Sequence, residues 1–522
     1  MGRVYIYDTT LRDGSQTEGV SFSSGDKLDI LERLDDFGMD FVEGGWPRSN
    51  PKDDEFFDKA SKRNLRNSEL VAFGSTARPG VPFGDDPNLK ALAACEAEWC
   101  CIVGKAWDFH VTEALGIGLE ENLRMISGSV SFLRGAGKRV MFDAEHFFDG
   151  YRSNPEYAME AVSAAEKAGA EWVVLCDTNG GSLPEEIGAT VSSVSQKMEA
   201  RLGIHCHNDS DMATSCSLAA VRAGCEMVQG TVNGIGERCG NANLCAVIPN
   251  LAFKMGADIG RIDVSKMTDL SRCIGEIANM VPNPGMPYVG SRAFAHKGGL
   301  HASALSKDPR TYEHIDPRSV GNSRRILVSD MGGRASVAEK LRQLGLREGD
   351  DDAKIMGIVK DLESRGYQFE GADASFELLV KRLRDEIEPM FDIVGFRVYT
   401  DDGIGDGTLS EASVKVSDGK GHIEHTAADG NGPVNALDNA LRKALRCFYP
   451  ELANIRLTDY KVRVLDERGG TGTGVRVLIR STDGREDWTT VGVSVNIIEA
   501  SLAALKDSLE YALIRRSESD AQ

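Results

Sequence analysis

The chain has 522 residues, more than one hydrophobic core can organise, so several domains of about 100–200 residues each are expected. Its composition, 41% hydrophobic and 27% charged, is that of an ordinary folded protein and not of a disordered one. A formal net charge of −20, with no Lys/Arg block, argues against a nucleic-acid binder or a partner of anionic membranes.

An acidic chain can still take anionic substrates if a metal or a local arginine supplies positive charge inside the site. The eleven cysteines are scattered without a C-x-x-C pair and read as reduced thiols. The start, MGRVYIYDTTLRDG, lacks the charged-then-apolar pattern of a signal segment, and Ile6 breaks the myristoylation pattern. No run of 18 apolar residues occurs, so a soluble, cytoplasmic protein is expected.

Eight short β-rich runs follow one another through the first half: VYIYD (4–8), MDFVEGG (39–45), LVAFGST (70–76), WCCIVGK (99–105), RVMFDAE (139–145), WVVLCDT (172–178), GIHCH (203–207) and EMVQGTV (226–232). Between them lie amphipathic helical patterns such as 24–38 and 155–170, with apolar residues at three-to-four spacing and glycine near the C-terminal end. Alternating β and α at this spacing predicts parallel strands with crossover helices. Eight units in about 250 residues is the size of a (β/α)8 TIM barrel, with an open doubly wound sheet as the alternative the pattern allows.

After residue 255 the rhythm stops at a Pro/Gly-rich passage, VPNPGMPYVG (281–290), and helices are predicted at 335–345, 352–366 and 373–387. From residue 393 an α+β region carries an internal repeat: 412–445 and 475–509 both read strand, D-G turn, strand, glycine-containing turn, amphipathic helix. The expected division is a catalytic barrel over 1–255, linker subdomains over 256–392 and a C-terminal domain over 393–522. Two β-β-α halves suit a dimerising or regulatory domain, although a plain structural role reads the same way.

In a TIM barrel the site lies at the C-terminal ends of the strands. The polar residues there are Asp8, Arg12 and Asp13; Glu43; Ser75 and Thr76; Lys105; Asp143 and Glu145; Asp177 and Thr178; His205 and His207; and the stretch from Asn233 to Asn243. His205 and His207 are two apart on a strand, so both rings enter the mouth together and can share one divalent metal. Asp13 is the natural carboxylate ligand, and Arg12 beside it can hold an anionic substrate with a two-pronged fork, oriented by Glu43. Asp8 and Asp13 equally suit helix capping. GTVNGIGERCGNANL (230–244) lets backbone and side-chain amides approach a ligand closely and is no dinucleotide fingerprint.

DTTLRDGSQ (8–16), HCHNDSDMA (205–213) and GIGERCGNANL (234–244) together resemble the family of 2-isopropylmalate, homocitrate and citramalate synthases. The resemblance extends through HKGGLHASAL (296–305), YEHIDPRSVGN (312–322) and the C-terminal repeat, which is similar to the family's dimeric allosteric domain. It implies Asp13, His205, His207 and Asn241 as ligands of Mn2+, Mg2+ or Zn2+, and Arg12 as the group activating a keto acid. It further implies Glu145 and Thr178 as the lining of the keto-acid site; Asp143, two residues before Glu145, departs from the family there, a polar side chain at a position expected to face the substrate's tail. His301 and Tyr312 would complete the site in a partner subunit, with His301 as the general base.

WPRSNPKD after Glu43 and FDAEHFFDGYRSNPEYA (142–158) most resemble the group that condenses pyruvate with acetyl-CoA. A homodimer with isoleucine as feedback effector then follows. The alternatives at this stage are 2-oxoisovalerate as acceptor, a lyase running the reverse cleavage, and a catalytically inactive amino-acid sensor.

Overall fold

The computed structural model describes residues 2–328, 334–347, 349, 351–401, 409–465 and 473–521. Eight parallel strands close into a barrel in sequence order: β1 (Tyr5–Asp8), β2 (Phe41–Gly45), β3 (Glu69–Ser75), β4 (Trp99–Lys105), β5 (Arg139–Glu145), β6 (Trp172–Asp177), β7 (Arg201–Cys206) and β8 (Met227–Gly230). Each of the eight runs read from the sequence is a barrel strand, and closure between β1 and β8 removes the open-sheet alternative.

Period-two alternation sorts the strand residues. Val4, Ile6, Val42, Val140, Phe142, Ile204 and Val228 face the helical layer, whereas Tyr7, Phe41, Trp99, Met141, Trp172 and Met227 fill the barrel interior. The interior closes on aromatic rings, with Phe41 edge-on to Trp99 at 5.3 Å and Tyr5 edge-on to Trp172 at 5.4 Å. The barrel is therefore a packed core whose polar residues are confined to the mouth.

The surrounding helices begin on deliberate caps. Ser23 forms a capping box with Asp26 at the start of the first helix, Ser24–Phe37, which stops at Gly38, φ 98°. Asn50, Asp86 and Asn154 cap the helices Pro51–Ala60, Pro87–Ala94 and Pro155–Lys167, each with proline at the first helical position.

By contacts the chain forms two compact units, Met1–Phe294 with His314–Arg324, and Ala295–Glu313 with Arg325–Gln522. In the second unit, short strands β9 (Ala295–His296) and β10 (Arg325–Ile326) pair in parallel. Helices Arg334–Gln343, Asp352–Ser364 and Asp373–Leu383 stand where helices were predicted. They share an apolar cluster, among them Val337, Ile355, Val359, Phe376 and Val380, with Val491 of the terminal sheet.

Two antiparallel sheets follow, β11 (Asp392–Asp401), β12 (Leu409–Ser417) and β13 (Ile423–Gly430), then β14 (Arg456–Val464), β15 (Val475–Thr482) and β16 (Asp487–Ser494). Helices Pro433–Leu445 and Ile497–Ala521 close the two halves. The repeat is thus β-β-β-α, one strand longer per half than the sequence pattern suggested. The extra strands each carry a register shift near their start, between Ile393 and Gly395 and between Leu457 and Asp459. That irregularity breaks the period-two signal and marks the halves as copies. Among the described residues no helix is long and apolar enough to cross a membrane.

Candidate active site

The inward positions at the strand ends bring Asp13, His205 and His207 together, their ligand atoms all within 4.8 Å of one another. The Nε2 atoms of the two histidines are 3.2 Å apart, and His205 Nε2 lies 3.5 Å from Asp13 Oδ2. Both rings are held from behind. His205 Nδ1 sits 2.9 Å from Gln229 Oε1, and His207 Nδ1 2.6 Å from the Thr178 carbonyl.

The Gln229 oxygen is an acceptor, so His205 Nδ1 carries the proton and its Nε2 turns a lone pair toward His207 and the carboxylate, whereas His207 Nδ1 also meets Arg238 Nη2 at 3.0 Å. Asp13 Oδ2 and Asn241 Oδ1 are buried acceptors without a hydrogen-bond partner. A buried, unpartnered Asp13 oxygen facing the His205 lone pair, with His207 beside it, is unfavourable unless a cation occupies the centre. The residues present therefore fit a divalent metal with mixed imidazole and oxygen ligands.

Ionisation follows the same logic. Burial drives the His205 pKa down to about 4, keeping the ring neutral and able to ligate. Burial opposes charge on Asp13, but nearby positive charge, that of Arg12 foremost, outweighs it and holds the carboxyl below its usual pKa.

Asn241 is delivered by the glycine loop. A backbone bridge joins it to His207, and Asn208 N–H donates to Gly240 O at 2.8 Å. Gly240 has φ 89°, and a Cβ there would meet Gly234 O at 2.0 Å, so only glycine allows the loop to close here and set Asn241 beside His207.

Arg12 lies flat over Phe73, its carbon 3.8 Å from the ring centre. Its Nε donates to Glu43 and its Nη1 to Asp13 Oδ1 at 2.7 Å, while the fully buried Glu43 also accepts from Tyr7 Oη at 2.6 Å. The guanidinium is thus pinned by two carboxylates and an aromatic face. On the facing wall, Lys105 and Glu145 are register partners and form an ion pair. Thr178 Oγ1 accepts from His146 N–H at 2.9 Å.

Asp143 is buried, and its carboxylate accepts from Gln229 Nε2 at 3.1 Å. His301 and Tyr312 belong to the second unit, where their rings stack at 3.8 Å. Asp8, Asp177 and Asn233 close loops: Asp8 accepts from Thr10, Asp177 from Ser182, and Asn233 donates to Ser271 O. Gln229 escaped the sequence reading, although it is a polar residue at an inward position of β8, two after Met227.

Asp8 carries a pH signature. Burial lifts its pKa to about 7 despite the bonds from Thr10. Between about pH 4 and 7 the folded chain keeps a proton that the unfolded chain, with an ordinary pKa of about 3.9, has released. Its contribution, on the order of a few kcal/mol, is complete at the acid end and lost as pH rises through 7. Asp8→Asn is expected to flatten the decline of the thermal midpoint between pH 5 and 8; an unchanged slope contradicts the assignment.

A closed (β/α)8 barrel with a His-X-His pair and a carboxylate together at its mouth defines a TIM-barrel enzyme whose site has the side chains to hold a metal. The HMGL-like family model matches residues 3–281, the homocitrate synthase post-HMGL domain-like model 288–366, and the LeuA allosteric (dimerisation) domain 370–513. The (R)-citramalate synthase of Aquifex aeolicus (strain VF5) is 53% identical over 99% of this chain and 99% of its own. That of Geobacter sulfurreducens is 51% identical over 99% of each. The 2-isopropylmalate synthase of Methanocaldococcus jannaschii is 30% identical over 98% of this chain and 95% of its own. The chain belongs to the HMGL-like family, in the acyltransferase group formed by the (R)-citramalate synthases.

Proposed function

We propose that the chain condenses acetyl-CoA with pyruvate and releases (R)-citramalate and CoA, as a cytoplasmic enzyme at the head of a pyruvate route to isoleucine. The observation that carries this reading is the convergence of Asp13, His205 and His207, with the unpartnered Asn241 oxygen, at the barrel mouth. Pyruvate is favoured over 2-oxoisovalerate because identity to the citramalate synthases reaches 53%, against 30% to the 2-isopropylmalate synthase.

A divalent cation, Mn2+, Mg2+ or Zn2+, held by Asp13, His205, His207 and Asn241 supplies Lewis-acid polarisation of the keto acid's carbonyl. Arg12, pinned by Glu43 and Asp13, uses its remaining N–H groups to stabilise negative charge growing on the ketone oxygen. Glu145, paired with Lys105, and Thr178 line the keto-acid site. His301 takes a proton from the acetyl methyl group, which then attacks the ketone carbon; Tyr312 holds the ring by stacking. Water hydrolyses the thioester and frees CoA.

His301 and Tyr312 are exposed in the described chain, Tyr312 by 46%, which suits rings that serve a partner's barrel in a homodimer. The dimerisation-domain match over 370–513 supports that assembly. CoA release followed by thiol titration is expected with pyruvate present and absent without a keto acid. Isoleucine, as the effector of the C-terminal domain, is expected to suppress that release in the intact chain, and leucine to do so less. Equal insensitivity to both would remove the feedback reading.

A further inference from the structure

Two buried polar side chains at inward positions of β8 and β5 take part in no step of the condensation. His205 and Gln229 are register partners across β7 and β8, which brings the carboxamide against the ring. Gln229 Oε1 lies 2.9 Å from His205 Nδ1, and the other end of the same carboxamide, Nε2, donates to Asp143 Oδ1 at 3.1 Å. Gln229 is wholly buried, and Asp143 also receives the Cys101 thiol.

A carboxamide has one donor end and one acceptor end, whereas an ionised carboxylate, the form Asp143 takes above a pKa that burial lifts to about 7, only accepts. Asp143 therefore selects which end of Gln229 faces the histidine, and it selects the oxygen. An oxygen at Nδ1 demands a proton on Nδ1, which leaves the Nε2 lone pair aimed at Asp13 and His207. A flipped carboxamide would set an N–H against Nδ1, move the ring proton to Nε2 and point it at the place a cation must occupy.

We propose that Gln229 and Asp143 are positioning residues that lock His205 in its metal-binding tautomer, Asp143 acting through Gln229 and not by touching the substrate. The inference rests on Asp13, His205 and His207 forming a metal centre. It accounts for the bond between Gln229 and Asp143, and for a buried glutamine whose desolvation would otherwise be a pure cost.

The test is calorimetric titration of Mn2+ into the full-length chain without substrates, with circular dichroism confirming the fold of each variant. Gln229→Met fills the space but offers His205 no oxygen, and Mn2+ affinity is expected to fall about 10- to 100-fold. The double variant D143N/Q229E restores the pattern with polarity moved one step: the amide introduced at position 143 donates to the carboxylate introduced at position 229, whose oxygen again accepts from Nδ1. It is expected to bind Mn2+ within about threefold of the parent, since an outer-shell carboxylate on a ligating histidine is a favourable arrangement.

Parent-like affinity in Gln229→Met overturns the proposal. So does weakening in Gln229→Met with no recovery in the double variant, because packing and not polarity would then be the cause. Parent-like affinity in His205→Ala removes the metal centre itself, an outcome distinct from either.

Discussion

Replacement of His205 by alanine is expected to abolish CoA release while leaving the barrel folded. The ring contributes one of two Nε2 donors beside Asp13, and its loss leaves an acceptor cluster too sparse to hold a cation. Lewis-acid polarisation contributes several kcal/mol to such a reaction, so the rate is expected to fall about 10³-fold or more. Stability changes far less, because His205 is a neutral buried ring whose principal partner, Gln229, keeps its bond to Asp143. Mn2+ affinity and turnover must fall together. An alanine variant that binds Mn2+ normally and still turns over would contradict the site.

Arg12→Ala is expected to lower kcat by about 10²- to 10³-fold, the loss associated with one donor to a developing oxyanion. The structure adds a second consequence, since Glu43 is completely buried between Arg12 and Tyr7. Removing one partner of a buried pair typically costs about 3–5 kcal/mol, so the thermal midpoint is expected to drop as well. Burial already pushes the Glu43 pKa up against the pull of Arg12, and without the guanidinium this carboxyl protonates. Arg12→Lys separates the effects: it restores charge beside Glu43 but cannot reproduce the planar fork that grips Glu43 and Asp13. It is expected to regain stability and little turnover. A variant pair with parent-like kcat would remove Arg12 from the reaction.

The barrel was legible because eight short β-rich runs recur between helical patterns with apolar residues at three-to-four spacing. Strand parity explains both success and error among the site residues. His205 and His207 share the inward parity of β7. Asp8 and Asp177 follow the inward Tyr7 and Cys176 by one residue and so turn away from the mouth, where they close loops. Polarity at a strand end, without parity, is what makes them candidates in the sequence.

Gln229 obeys inward parity and could have been found by extending that count to β8. What no single strand reveals is register: the contacts Lys105–Glu145 and His205–Gln229 exist because neighbouring strands align at those residues. The bond from Gln229 on β8 to Asp143 on β5 likewise emerges only once the barrel closes. The roles given to Asn241, His301 and Tyr312 came from family resemblance, since spacing alone points to none of them.

CoA release measured side by side with pyruvate, 2-oxobutyrate and 2-oxoisovalerate, at one concentration of acetyl-CoA and Mn2+, decides which acceptor the site takes. The highest kcat/KM is expected with pyruvate, lower with 2-oxobutyrate and least with the branched acid. Preference for 2-oxoisovalerate would contradict the assignment and make the chain a 2-isopropylmalate-forming enzyme instead.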